Sequence, residues 1–272
     1  EQPGRIDAPV LFDHRLHMQS MVGSGIDPHG APNERWTAGA PLLGLCAALW
    51  GWWTTLAWRF LDGPEFAAGA LWLAAAAVWL GAQIVAARLR LPERFAGVFS
   101  TAVQALVPVL ATAGAVAISE PLRGAVMRLA ASVSTTELIA IHVLRLAAWG
   151  TIKKYRAGLL PRYFFLSGSI PDFAFAVSAV ALTAFVITQG AVLSDTGLLI
   201  WNAVGVLVFL GAAVTMYFGA PKSPLGWRWR RVVAGREAST LAPFRWPMNL
   251  APAFCAPLFW LAHGLFVIKL LV

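Results

Sequence analysis

The hydrophobic positions of this chain form long, nearly uninterrupted runs that are separated by polar segments. A helix needs about 20 apolar residues to cross the hydrocarbon core of a bilayer, and seven segments meet that requirement. Strands of outer-membrane barrels are only about 10 residues long and alternate strictly, which these runs do not. We therefore predict an all-α polytopic membrane bundle with seven transmembrane helices, at about 37–58, 66–87, 97–118, 131–151, 170–193, 197–218 and 250–271.

The composition excludes the other broad classes of protein. Of the 272 residues, 58% are hydrophobic and 12% are charged, and the mean hydropathy is +0.68. A soluble domain is about 25% charged, so a water-soluble globule does not fit. Disordered chains have low hydrophobicity, and two cysteines cannot build a disulfide scaffold.

The basic residues predict the orientation of the bundle. Sixteen Lys and Arg lie in segments 1–36, 88–96, 152–169 and 219–249, four are assigned to the other side, and Arg145 lies inside a span. Basic residues favour the cytoplasmic side, so we predict a cytoplasmic N-terminal tail (1–36), a transmembrane domain (37–272) and a C-terminus outside, in a bacterial inner membrane. This topology accounts for the net charge of +8, and we expect no nucleic-acid partner.

The polar loop before the last span is predicted to contact lipid headgroups. Indole rings suit the membrane interface, and guanidinium groups pair with anionic phosphates at the cytoplasmic face. The loop alternates the two in Trp227, Arg228, Trp229, Arg230 and Arg231. An ordinary positive-inside anchor is the simplest interpretation of this pattern.

The fourth predicted span carries three ionisable residues, Glu137, His142 and Arg145. At about 100° per residue, Arg145 lies roughly 80° and His142 roughly 140° from Glu137, so the three share one broad stripe. Ionisable groups at this depth are costly and normally face the bundle interior. Two interpretations stay open, a structural polar clasp between helices and a functional polar site.

Asp172 is the candidate partner of Arg145, with Glu137 as the alternative. Both Arg145 and Asp172 lie toward the cytoplasmic ends of their predicted helices, where a salt bridge can join them. Ser169 and Asp172 also have the spacing of a capping box, which predicts that Ser169 caps the fifth span. Capping alone would account for the acid.

His142 and His263 are predicted to lie about 16 Å and 12 Å from the outer ends of their spans, so they can meet near the midplane. Two imidazoles on different helices can hold a haem iron, and haem is the one cofactor this pattern suggests. A buried histidine that only bonds a neighbour is the simpler interpretation. No metal-ion motif is present.

Cysteines and prolines concern the shape of the bundle. Cys46 and Cys255 are predicted to be free, packed thiols at similar depth. Pro108, Pro252 and Pro257 are expected to kink the third and seventh spans, because proline removes a helical hydrogen bond. Asn202 and Gln83 are candidate donors to the freed carbonyl groups.

The second half of the chain resembles a group of bacterial integral membrane proteins of unassigned function. The matching stretches are 142–145, 157–164, 168–172, 201–205 and 247–263. This chain has Gly-Ser-Ile-Pro-Asp at 168–172 where the group has Gly-Ile-Gly-Asp. The resemblance implies a membrane protein and directs attention to Arg145, Asp172, Asn202 and His263, but it implies no reaction.

Three functions remain open. A non-catalytic accessory or scaffold subunit of a membrane complex fits the sparse interior polarity, and other membrane subunits would then be its partners. A transporter or channel for a small molecule or ion would use Glu137, His142 and Arg145, and a haem- or pigment-binding redox subunit would use His142 and His263. We expect no catalytic residues, because neither a HExxH nor a GxSxG motif lies in the spans.

Overall fold

The computed structural model describes residues 39–94, 101–190, 193–219 and 242–272, and the regular structure within these ranges is entirely helical. The α-helices are α1 (Ala40–Phe60), α2 (Gly63–Arg88), α3 (Leu91–Arg94), α4 (Thr101–Ile118), α5 (Glu120–Ser132), α6 (Thr135–Ala140), α7 (Ala148–Arg156), α8 (Arg162–Phe164), α9 (Ile170–Gln189), α10 (Asp195–Gly219) and α11 (Ala256–Leu271). The all-α prediction is confirmed for the described residues.

Five helical stretches in the described ranges are long and apolar enough to cross a membrane. They are Ala40–Phe60, Gly63–Arg88, Arg162–Gln189, Asp195–Tyr217 and Ala251–Leu271. A sixth candidate is the pair Gln104–Ile118 and Glu120–Ser132, whose two helices meet at 106°. The described chain therefore has five or six candidate spans.

A sharp bend comes at Ser119, directly after the third predicted span, and the helix before it continues through Pro108. Ser119 is extended, and its hydroxyl accepts a hydrogen bond from the Leu122 backbone N–H, so a new helix starts there. Pro121 in the first turn favours this start, because its missing N–H would have had no partner there. α5 then packs across α2 and α11.

The fourth predicted span begins four residues later than expected, at Thr135 instead of residue 131. Ser134 and Glu137 form a reciprocal capping box, which starts a helix at this point. The helical rod over 135–156 consists of α6, a 3-10 segment (Ile141–Ala147) and α7. It is not among the five apolar candidates within the described ranges.

The predicted N-cap at Ser169 is wrong. The chain is already helical from Arg162, and a π-helical segment (Phe165–Ser169) runs directly into α9. Ser169 therefore has helical backbone angles, and its hydroxyl accepts from the Thr151 hydroxyl at 2.6 Å instead of capping. The left-handed Gly190 terminates α9.

A second π-helical segment (Ala251–Cys255) opens the last span and contains Pro252. Trp79 of α2 donates its indole N–H to the Ala253 carbonyl at 2.8 Å, which satisfies an acceptor at this irregularity. α11 is the most buried candidate span and lies at the centre of the hydrophobic core. Its inward face includes Phe259, Ala262 and His263.

Several predictions concern residues outside the described ranges. These are the tail 1–36 and the headgroup-contact residues Trp227, Arg228, Trp229, Arg230 and Arg231. They stay predictions.

Candidate functional site

The candidate site centres on Arg145, a fully buried charged side chain in the 3-10 segment. Its Nε donates to Asp172 Oδ1 at 2.6 Å, which confirms the predicted pair between these residues. An arginine this deep in a bundle is costly without such a partner. The pair joins the 135–156 rod to the first turn of α9.

Three phenylalanines surround the guanidinium group. Arg145 Cζ lies 4.3 Å from the Phe175 ring centre and 4.0 Å from that of Phe209, and Phe259 lies 5.8 Å away. A cation over an aromatic face is attracted by about 0.5–2 kcal/mol, more when it is desolvated. The rings therefore hold the charge and keep its surroundings apolar.

His263 extends the polar cluster through a defined tautomer. Arg145 Nη1 lies 3.3 Å from His263 Nε2, and because arginine only donates, Nε2 accepts. The proton is then on Nδ1, which donates to Asn202 Oδ1 at 2.7 Å. The Asn202 amide donates in turn to the His263 backbone carbonyl at 3.2 Å. His263 is neutral and uses both ring nitrogens.

His142 stacks on His263, with ring centres 4.1 Å apart and planes 25° from parallel. Phe175, Trp201 and Phe259 complete an aromatic cage around it. Neither ring nitrogen of His142 has a hydrogen-bond partner among the described residues. The predicted meeting of the two histidines is thus confirmed, but as a face-to-face stack.

This stack does not fit a haem held between His142 and His263. Axial ligation needs both imidazoles to direct a nitrogen at one iron from opposite sides of a flat macrocycle. Here the ring faces touch, and both His263 nitrogens are already bonded, one of them to an arginine cation. No group of three metal-binding side chains is found in the described ranges either.

A cavity of about 100 Å³ lies beside the Arg145–Asp172 pair, and both residues line it. The hydroxyl-bearing Thr151 and Ser169 and the Cys255 thiol also belong to its wall. The 3-10 segment and both π-helical segments contribute lining residues. Irregular helical backbone in a membrane protein is found where it is buried in protein or lines a cavity, and π-bulges are frequent at functional sites.

Glu137 does not join the cluster. Its carboxylate caps α6 and pairs with Arg59 at 2.6 Å, with both side chains partly exposed. The structure therefore divides the predicted stripe in two. His142 and Arg145 lie inside with Asp172, Asn202 and His263, and Glu137 lies at the end of the bundle.

The sequence reasoning missed the aromatic residues around Arg145 and the glycine that makes room for His263. Phe175 follows Asp172 by three residues and Phe259 precedes His263 by four, so helical spacing places each on the face of its polar neighbour. Gly205 follows Asn202 by three, and a Cβ there would overlap ring atoms of His263 and Phe175. These spacings were readable in the sequence.

Cys46 and Cys255 are free and buried, as predicted, with their sulfur atoms 3.5 Å apart. The predicted donors to proline-freed carbonyls are wrong: among the described residues the buried Gln83 side chain donates to none, and the Asn202 amide donates to His263 instead. The Gln83 backbone carbonyl accepts from the Asn249 amide at 3.2 Å.

Comparison with models of known families, with curated proteins and with solved structures found no match. The resemblance to bacterial membrane proteins of unassigned function stays a prediction, and the arguments for function come from the site itself.

Proposed function

We propose that this chain is a membrane transporter or channel for a small polar solute, and that its binding site is the cavity beside Arg145 and Asp172. The observation that carries this proposal is an ion pair with a fully buried arginine, placed where three irregular helical segments border one cavity. Many transporters build their substrate sites at interrupted helices.

The energetic cost of the site favours a functional role over a structural one. A clasp between helices needs only neutral hydrogen bonds, which Asn202 and His263 already supply. A buried ion pair stabilises a fold little compared with apolar packing of the same volume. Intramembrane ionisable residues are therefore the default functional hypothesis, and Arg145 Nη2 still lacks a partner among the described residues.

Solute entry into vesicles tests the proposal. Purified protein is reconstituted in lipid vesicles, which are mixed with a hyperosmotic solution of urea, glycine or potassium nitrate. With potassium nitrate, an ionophore is added so that potassium can enter with the anion. The vesicles shrink at once and swell again only if the solute enters, which stopped-flow light scattering records. We expect one of these solutes to enter several-fold faster than in protein-free vesicles, and Arg145→Gln to abolish that difference.

Arg59→Gln is the matched control, because it removes an arginine from an ion pair that lies outside the cavity. Its entry rate should equal that of the wild type. Rates equal to those of protein-free vesicles for every solute, or an unaltered rate in Arg145→Gln, would overturn the proposal.

The same proposal includes seven spans, with the 135–156 rod as the fourth, and an N-terminus in the bacterial cytoplasm. Its support is that three of the four basic residues assigned to the outer side lie at one end of the bundle. Arg59 pairs with Glu137, Arg128 pairs with Glu65, and Lys269 donates to a carbonyl of α5.

A role as an accessory subunit of a membrane complex is the second candidate, and α2 favours it. Only four of its 26 residues are buried, and Gly81 has open space where a side chain would lie. Small residues let membrane helices approach closely. Native mass in a mild detergent extract tests this role, since Gly81→Leu should reduce a wild-type complex to the mass of the chain alone.

A further inference from the structure

We infer that the Arg145 cavity takes a small monovalent oxyanion together with one proton, which Asp172 accepts. This inference rests on the proposed solute site but names its substrate class. Its basis is the unmet hydrogen-bonding capacity, the charge and the size of the cavity.

The group with unmet hydrogen-bonding capacity is a donor, so the missing partner is an acceptor. Arg145 is 1% exposed, and its Nη2 has no partner in the described part of the chain, while Nε and Nη1 are bonded. A guanidinium edge presents two parallel N–H groups to a pair of oxygens on one centre. The Ser169 hydroxyl, which accepts from Thr151, has its own proton to donate and lies on the same wall. A cation would instead be repelled by the positive charge of Arg145.

The size of the cavity suits a small anion. A cavity of about 100 Å³ is well above the roughly 10–15 Å³ needed for one water, so it has room for a small anion. Nitrate, formate and acetate have three or four non-hydrogen atoms and a planar pair of oxygens.

The charge of the site requires the proton. Arg145 and Asp172 cancel each other, so an anion alone would add a net negative charge to an apolar interior, which is costly. If Asp172 takes a proton, its ion pair with Arg145 is replaced by a pair between Arg145 and the anion. The net charge of the site is then zero before and after binding, and His263 Nε2 still accepts from Nη1 and holds the guanidinium in place.

Few other groups compete for this proton. Among the described residues near Asp172, the titratable neighbours are Arg145, Cys255 and, beyond the arginine, His263. The lining residues from α1, α4 and α10 carry no titratable group. A thiol and a neutral imidazole with both nitrogens bonded leave the Asp172 carboxylate as the proton acceptor.

Proton uptake on nitrate binding is the direct test. Purified protein in detergent, weakly buffered near pH 7 with a pH indicator, is titrated with potassium nitrate and, separately, with urea, a neutral molecule of the same shape. We expect nitrate to bind with uptake of about one proton and urea to cause none. The nitrate affinity should fall about tenfold per pH unit where Asp172 is ionised in the free protein.

Three variants test the roles given to the anion-binding group and to the proton acceptor. Asp172→Asn should bind nitrate with no proton uptake and with no pH dependence, and Arg145→Gln should not bind it. Glu137→Gln, which neutralises an acid outside the cavity, should behave as the wild type. The inference would be overturned if the wild type bound nitrate without proton uptake or did not bind nitrate. Both of these results are measured on the wild type, so they do not depend on whether a variant folds.

Vesicles separate this inference from the proposed function. In potassium nitrate, proton-coupled entry should be supported by nigericin, which exchanges the proton for potassium, and not by valinomycin alone. Entry with valinomycin alone would indicate an uncoupled anion channel and overturn the inference while leaving transport intact. Proton-linked binding in detergent with no entry under either ionophore would overturn transport and leave the inference intact.

Discussion

Arg145 combines three interactions that each address one part of the cost of burying a charge. Asp172 compensates the charge, His263 accepts one N–H group, and the phenylalanine rings replace part of the lost hydration. Arg59 forms an ion pair of the same length, 2.6 Å, with partly exposed side chains. The two ion pairs therefore allow a buried arginine to be compared with an exposed one within one chain.

We expect Arg145→Ala to lower the free energy of unfolding by about 3–5 kcal/mol, because it leaves Asp172 without its counter-charge. Arg59→Ala should cost only about 0.2–1 kcal/mol, as for exposed pairs. Thermal unfolding of both variants in the same detergent checks this. Equal losses of stability in the two variants would contradict the larger contribution expected of Arg145.

Gly205 is the residue at which a single methyl group should disturb the site. Its added Cβ would overlap the His263 and Phe175 rings, so we expect Gly205→Ala to destabilise the protein by about 1–3 kcal/mol. Gly211→Ala in the same helix meets nothing within 4 Å and should stabilise it by about 0.5–1 kcal/mol. The measurement is the unfolding midpoint in detergent, and opposite signs are the decisive result.

At the scale of elements, the chain departs from regular α-helix beside the polar residues. The 3-10 segment carries His142 and Arg145, and each π-helical segment ends at a residue that lines the cavity, Ser169 or Cys255. Each irregularity leaves backbone groups that need a partner in the apolar interior. The side chain of Trp79 provides one such partner from a neighbouring helix.

Trp79→Phe should therefore weaken the π-helical opening of the last span. Loss of the donor to the Ala253 carbonyl should cost about 1–3 kcal/mol, the cost of an unsatisfied buried acceptor. Trp53→Phe is the matched control, since its indole nitrogen has no partner among the described residues. Hydrogen exchange of residues 251–257 should rise in the first variant alone, and equal exchange in both would contradict the role of Trp79.

At the scale of the whole molecule, the orientation of the bundle in the membrane can be tested by labelling. Cys46 and Cys255 are buried, so they can be replaced by serine to give a background for single cysteines. In intact cells an impermeant maleimide should label Asp62→Cys, which lies at the end of α1, and should not label Ala157→Cys until the membrane is opened. Both positions are exposed. The reverse labelling pattern would place the N-terminus outside.

The sequence by itself determined the all-α class of the protein and most of the polar residues of its site. Apolar runs of about twenty residues favour membrane-spanning helices, since in a helix each backbone group is bonded within the span. The high cost of buried charge then singled out Arg145, with Asp172 as its partner, and the depth of each span placed His142 near His263. These conclusions depend on local composition and on distance along a helix.

The tertiary structure decided how the helices are interrupted and which polar residues act together. Glu137 left the predicted stripe because Ser134 and Arg59 offered it partners at the end of the bundle. Ser169 lost its predicted cap because the preceding turn was already helical. The histidines became a stack and not a haem site because Asn202 and Arg145, from other segments, bonded both nitrogens of His263. Such outcomes depend on competition among partners distant in the chain, which helical spacing alone does not contain.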